Sequence, residues 1–231
     1  MVNTTDLVIE FVEACVHQIL YSKGVYIAGV FEKRLKYGTQ VFQSRHPDIN
    51  AYIRKVLGNA YPLMDAGLVD GVVVALSRKE HGAEPSPIEN IGISCAIVNR
   101  ISGKEHGGVE AMELDTDAAY AAATISEETL FNLEKDMRSA LVELMKMPKV
   151  VGEECTWAIQ VHTSKGGVGV DAHQDAVLRE SLKSMQWKVD ESETLAPFSN
   201  SGDDHNRSLQ GIGSFSNSIF NCNITRTTFT S

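Results

Sequence analysis

Positive charge is what this chain is short of. Its 21 lysines and arginines face 30 aspartates and glutamates, a formal charge of −9 over 231 residues. That deficit argues against a protein whose main task is gripping nucleic acid through its phosphates. Long apolar runs are missing too: none reaches the ~18–20 residues a membrane-spanning helix needs. The start, MVNTTDLVIEF, has no basic stretch leading into an apolar core and a small-residue cleavage site, so no secretory signal is expected. The four cysteines, Cys15, Cys95, Cys155 and Cys222, form no Cys-x-x-Cys pair. That spacing excludes the familiar zinc knuckles and redox motifs, and the thiols are expected to serve as small buried apolar groups. Gly-x-Ser-x-Gly, His-Glu-x-x-His and the Gly-Lys-Ser/Thr phosphate loop are absent. No cofactor, metal or catalytic residue is therefore expected.

What is present is the composition of a globular protein, 43% hydrophobic and 22% charged, long enough to bury a substantial core. The opening segment carries Leu7, Val8, Phe11, Val12, Cys15, Val16, Ile19 and Leu20 at helical spacing, which predicts a helix with a broad apolar surface. Thr4, Thr5 or Asp6 is its expected cap and Gly24 its expected end. Residues 23 to 55 hold seven basic side chains and two acids, read as a solvated face. Tyr37-Gly38 predicts a turn into a short strand, Thr39 to Gln43. RHPDINAYI then predicts a second helix. Pro47 suits a first helical position, where its missing N–H has no partner to lose, and Asp48 sets negative charge at the positive end. Its histidine, carboxylate and phenol lack further ligands at helical spacing, so helix-start chemistry explains them better than a metal site.

Residues 71 to 77 and the segment PIENIGISCAIV predict a hairpin of an antiparallel sheet. Residues 99–123 read as a surface insertion. Thr124 and Glu127 stand at capping-box spacing before a third helix with Leu130, Leu133, Met137, Leu141, Leu144 and Met145 on its apolar face, and Pro148 stops it. CTWAIQVHT predicts another strand. From residue 164 onward Gly, Ser, Asn and Asp dominate and apolar anchors are sparse. Such a segment has no independent interior and is expected to pack on something else.

Helix, strand, helix, two strands, helix, strand and sparse tail, together with VHQILYSKGVY, VFEKRLKYG, RHPDINAYI, VVVAL, KEH, PIENIGI and CTWAIQVHTS, resemble the HORMA-domain family over about three quarters of the chain. The resemblance implies one α+β domain over 1–231: an antiparallel sheet backed by three helices in a core of 1–163, and a mobile C-terminal safety-belt region at 164–231. It implies a non-catalytic adaptor that traps a partner's extended peptide under the belt. Two branches fit. HPDINAYI, KEH, VHT and Gln186-Trp187 are more similar to the branch serving translesion DNA polymerase zeta as accessory subunit; the alternative is the spindle-checkpoint branch. A small enzyme without recognisable motif is the remote alternative.

For the polymerase branch the resemblance implies a proline-containing peptide of the catalytic subunit as partner, a nuclear location, a homo- or hetero-HORMA dimer and an AAA+ remodelling ATPase. It implies neither specific nucleic-acid binding nor membrane attachment. The matching peptide-channel positions are Tyr26, Tyr52 and Trp187, and Arg138 matches an arginine used at HORMA–HORMA contacts. Three features depart from the pattern. Tyr26-Ile27 replaces the usual Tyr-Pro, and the 99–123 insertion is long. The end, SFSNSIFNCNITRTTF, lacks a Leu-Tyr pair and is closer to the checkpoint branch, which leaves a contact with a Y-family polymerase open.

Overall fold

The computed structural model describes residues 3–79, 84–98, 127–149, 155–163, 176, 177, 179–181 and 207–229. The elements are α1 (Thr4–Lys23), β1 (Phe31–Lys36), β2 (Thr39–Ser44), α2 (Pro47–Asp65), β3 (Val69–Arg78), β4 (Ser86–Ile97), α3 (Glu127–Met145), β5 (Cys155–Thr163), β6 (Arg207–Ser216) and β7 (Phe220–Phe229). The insertion at 99–123, the Thr124 capping box and Trp187 lie outside the described residues.

α1 is the centre of the molecule. Val8, Phe11, Val12, Cys15, Val16, Ile19 and Leu20 are each at most 1% exposed. A helix this apolar needs cover on most sides, and α2, α3, β2 and the main sheet supply it. Its cap is Asn3, whose side chain accepts from the Thr5 N–H at 3.0 Å. The expected capping threonines are instead buried helical residues, and Thr5 donates to Asp65 of α2 at 2.9 Å. Gly24 ends the helix as expected, at φ 71°, where a side chain would be strained.

β1 and β2 form a hairpin across Tyr37-Gly38. The second strand was expected; the first, FEKRLK, was not, because after Phe31, which is buried, its only other apolar side chain is Leu35, 73% exposed. The five-stranded antiparallel sheet has the order β5-β3-β4-β7-β6. Where β3 meets β4, Leu76 pairs with Glu89 and Ser77 with Pro87, leaving Ile88 as the extra residue of a bulge. Ordinary alternation beyond it puts Glu89 on the face of Ile91, Ile93 and Cys95, and all four are buried.

The tail ends in regular structure. β7 pairs with β4 from Glu89↔Thr228 to Ile97↔Phe220, so part of the sparse segment is an inner strand of the sheet. Phe220, Cys222 and Ile224 alternate with Asn221, Asn223 and Thr225, and the first three are buried in the main core. Phe215 and Phe220 stack edge-on at 5.3 Å, and Phe11 of α1 completes the cluster at 5.8 and 6.2 Å.

One buried ionic cluster ties these elements. Glu89, 1% exposed, accepts from Lys23 Nζ at 2.5 Å and from Arg226 Nε at 2.7 Å. Lys23 also donates to the Pro148 carbonyl beyond α3, at 3.4 Å. Burial pulls the Lys23 ammonium below the ordinary lysine range, and Glu89 opposes that shift. Removing the carboxylate they share leaves two cations facing each other with little solvent. Glu89→Gln is therefore expected to cost roughly 3–5 kcal/mol, read from the midpoint of chemical denaturation.

Candidate functional site

Sheet edges decide where this fold can receive another chain. β5 is an edge strand: among the described residues its ladder partner is β3 alone. Its outer side carries backbone groups that neither β3 nor any helix ladder uses, the ordinary condition for strand addition.

The start of α2 is held against that edge. His46 caps the helix through Nδ1, which accepts from the Asp48 N–H at 3.2 Å. Its own N–H donates to Ser44 Oγ at 3.0 Å, and Asn50 donates to the Ser44 carbonyl at 3.0 Å. Arg45 donates to the Gly29 carbonyl at 2.5 Å, anchoring the segment that follows α1. The helix-start reading of His-Pro-Asp thus holds, with the histidine as cap and Pro47 at the first turn. Ile49, Ile53, Leu57 and Ala60 turn into the core and leave Tyr52 on the flank of that stripe, 38% exposed.

Tyr52 reaches β5. Its hydroxyl accepts from the Ile159 N–H at 3.2 Å, and its ring meets Trp157 edge-on at 5.2 Å and 80°. On the other side the Trp157 indole N–H donates to the Tyr26 hydroxyl at 2.7 Å. Three aromatic side chains from three distant segments therefore make one wall. They line a groove of about 550 Å³ together with Val30, Ile49, His46, Asp48, Cys155 and Thr156. Its lining combines aromatic and aliphatic side chains with a few polar groups, and residues of the edge strand β5 form part of it. That is the form of a site for an extended peptide carrying a compact apolar side chain.

Of the residues picked from the sequence, Tyr26 and Tyr52 are brought together here, and Trp187 lies outside the described residues. Arg138 is elsewhere. From α3 its Nε donates to the Tyr37 carbonyl at 2.7 Å, in the β1–β2 turn. Gly38, at φ 70°, lies so close to that guanidinium that an added Cβ would stand 2.6 Å from Nη2. Trp157 was missed as a site residue. Its alternation placed it on one face of a strand, and nothing in CTWAIQVHT shows that the strand is an edge.

No family model matches the chain. Among curated proteins, the mitotic spindle assembly checkpoint protein MAD2B of Danio rerio is 28% identical over 193 residues, 81% of this chain and 77% of the relative. The Bos taurus protein of the same name is 45% identical over 76 residues, a span of 33% of this chain and 36% of that relative. The DNA polymerase zeta processivity subunit of Schizosaccharomyces pombe is 26% identical over 164 residues, 70% of this chain and 69% of the relative. Two solved structures share the fold. A chain of the mitotic checkpoint complex superposes with a TM-score of 0.67 at 17% identity, covering 98% of both chains. C. elegans HTP-1 bound to the HIM-3 closure motif gives 0.57 at 15% identity, covering 97% of this chain and 89% of that one.

The Trp157–Tyr26 hydrogen bond supplies a direct check on the wall. Tyr26→Phe keeps the ring and strands the indole N–H. The expected loss is about 1 kcal/mol, seen as a lower denaturation midpoint at unchanged slope.

Proposed function

We propose that this chain is a HORMA-domain protein, as its similarity to MAD2B and the shared fold support, and a non-catalytic adaptor that captures a partner's extended peptide along the outer edge of β5. One observation carries the reading: an edge strand whose ladder partner among the described residues is β3 alone, flanked by the groove of Tyr26, Tyr52 and Trp157. Main-chain pairing to β5 supplies affinity without regard to sequence, and the aromatic wall supplies selectivity. Tyr52 holds the Ile159 N–H, so a guest strand either displaces that phenol or pairs beside it. A proline in the guest suits the site twice over. Its ring packs on aromatic faces, and its missing N–H is no loss on the side turned from β5.

In our reading residues 164–206 and the strands after them serve as the belt, with Trp187 closing over the guest. Ordering such a segment consumes ~2–5 kcal/mol of the gross interaction energy, and the closed belt slows release. The partner is the catalytic subunit of DNA polymerase zeta, and the protein acts in the nucleus in DNA damage tolerance. RHPDINAYI and the similarity to the S. pombe processivity subunit support this. Arg138 is the residue we assign to contact with a second HORMA domain. An AAA+ ATPase is the expected remodeller.

A checkpoint role is the second reading, favoured by the Ser-Phe and Ser-Ile pattern of β6 and β7 and by the fold shared with the checkpoint complex chain. Affinity capture from cell extract separates the two: recovery of the polymerase zeta catalytic subunit supports the first, and recovery of checkpoint partners alone replaces it.

Site variants test the capture step itself. Tyr52→Ala removes the edge-on contact to Trp157 and one wall of the groove. Dissociation of a labelled proline-containing peptide from the catalytic subunit is expected to accelerate by about tenfold or more, with the association rate little changed. Trp187→Ala is expected to act in the same direction. An unchanged off-rate for both variants rules out this groove and its belt.

A further inference from the structure

The four cysteines are scattered in sequence, yet three of them converge. Cys95 of β4 and Cys222 of β7 are direct partners in the ladder, and their sulfurs lie 3.8 Å apart. Cys15 of α1 is buried in the same core cluster as both. Cys155 stands apart at the groove. Opposed residues on antiparallel strands have Cα atoms ~4.5–5.5 Å apart, inside the range that a disulfide spans. Closing from 3.8 Å to bonding distance needs side-chain rotation rather than a shift of the strands.

We propose that Cys95 and Cys222 are a dithiol pair that a small disulfide oxidant converts to an intramolecular disulfide, and that this bond locks the C-terminal hairpin onto the sheet. The balance is simple. One cysteine thiolate attacks an oxidised glutathione molecule and releases one glutathione thiolate. The second cysteine thiolate then attacks the mixed disulfide and releases the other. Two protons leave the protein thiols, and two electrons pass to the oxidant.

The surroundings set the timing. Cys95 donates its S–H to Cys222, and that bond together with burial pushes its pKa well above the ordinary thiol range. Thiols held in this way are poor nucleophiles while the sheet is closed. Attack therefore waits for β7 to lift from β4, and the return of the strand sets the second thiol beside the mixed disulfide. In a reducing compartment such a bond is transient, and it reports oxidation rather than building the fold.

The experiment uses the full chain. Reduced protein is incubated with oxidised glutathione in native buffer, digested without reductant and mapped by mass spectrometry. The expected product is a Cys95–Cys222 linked peptide, two hydrogen masses below the sum of its parts. Hydrogen exchange of residues 207–229 should slow by at least about tenfold on oxidation and recover with reductant. Cys222→Ala should remove both effects. Because that variant changes a core residue, Cys155→Ala is made as well; it removes the one thiol outside the core cluster and should retain both effects. Glutathione found only on Cys155, a link through Cys15, or a Cys95–Cys222 bond with unchanged exchange would each overturn the proposal.

Discussion

The ladder between β4 and β7 is the constraint on which the rest of this molecule turns. It joins the middle of the chain to its last described strand, and it makes β4 an interior strand. With β7 and β6 on that side, the described sheet has its borders at β6 and β5. The aromatic groove matters because it sits at the β5 border. An identical groove beside an inner strand would have no free backbone groups to offer.

The ladder is reinforced by polar and by apolar contacts. Glu89 binds a cation from α1 and a cation from β7, so helix, strand and tail share one buried carboxylate. Buried ionic clusters of this kind are weak sources of net stability, because desolvation offsets much of the attraction. They discriminate well between alternatives. Slipping β7 by one residue turns Arg226 away from Glu89 and throws Phe220, Cys222 and Ile224 off the core side. The cluster thus specifies a register that polar Asn and Thr neighbours would leave poorly defined.

Much of the scaffold could be read from residues alone. The stripe of α1, the helix start at His46-Pro47-Asp48 and the strand CTWAIQVHT are local patterns, and they are where the periodicity put them. The misses have local reasons. FEKRLK forms a strand whose side chains are mostly exposed, so hydrophobic alternation has nothing to register. In β7 the alternation exists, but Asn, Thr and Cys dilute it below notice. Within the Lys23–Glu89–Arg226 cluster the Glu89–Arg226 pair joins residues 137 apart in the chain, and the cysteine pair joins residues 127 apart. No spacing rule reaches that far. The groove was half legible. Family resemblance supplied Tyr26 and Tyr52, while Trp157 became visible once β5 was known to end the sheet.

The far end of the sheet carries its own message. Where β6 pairs with β7, the register shifts between Gly211 and Gly213, so the outermost strand is kinked instead of straight. A bent, glycine-bearing border is a poor template for further strands. Under the proposed capture at β5 the two borders are therefore unequal: one accepts a newcomer and the other discourages it. A sheet that grows from a single side cannot propagate from molecule to molecule. Its stoichiometry is capped at one added strand per chain, which is what separates a finite complex from a fibre.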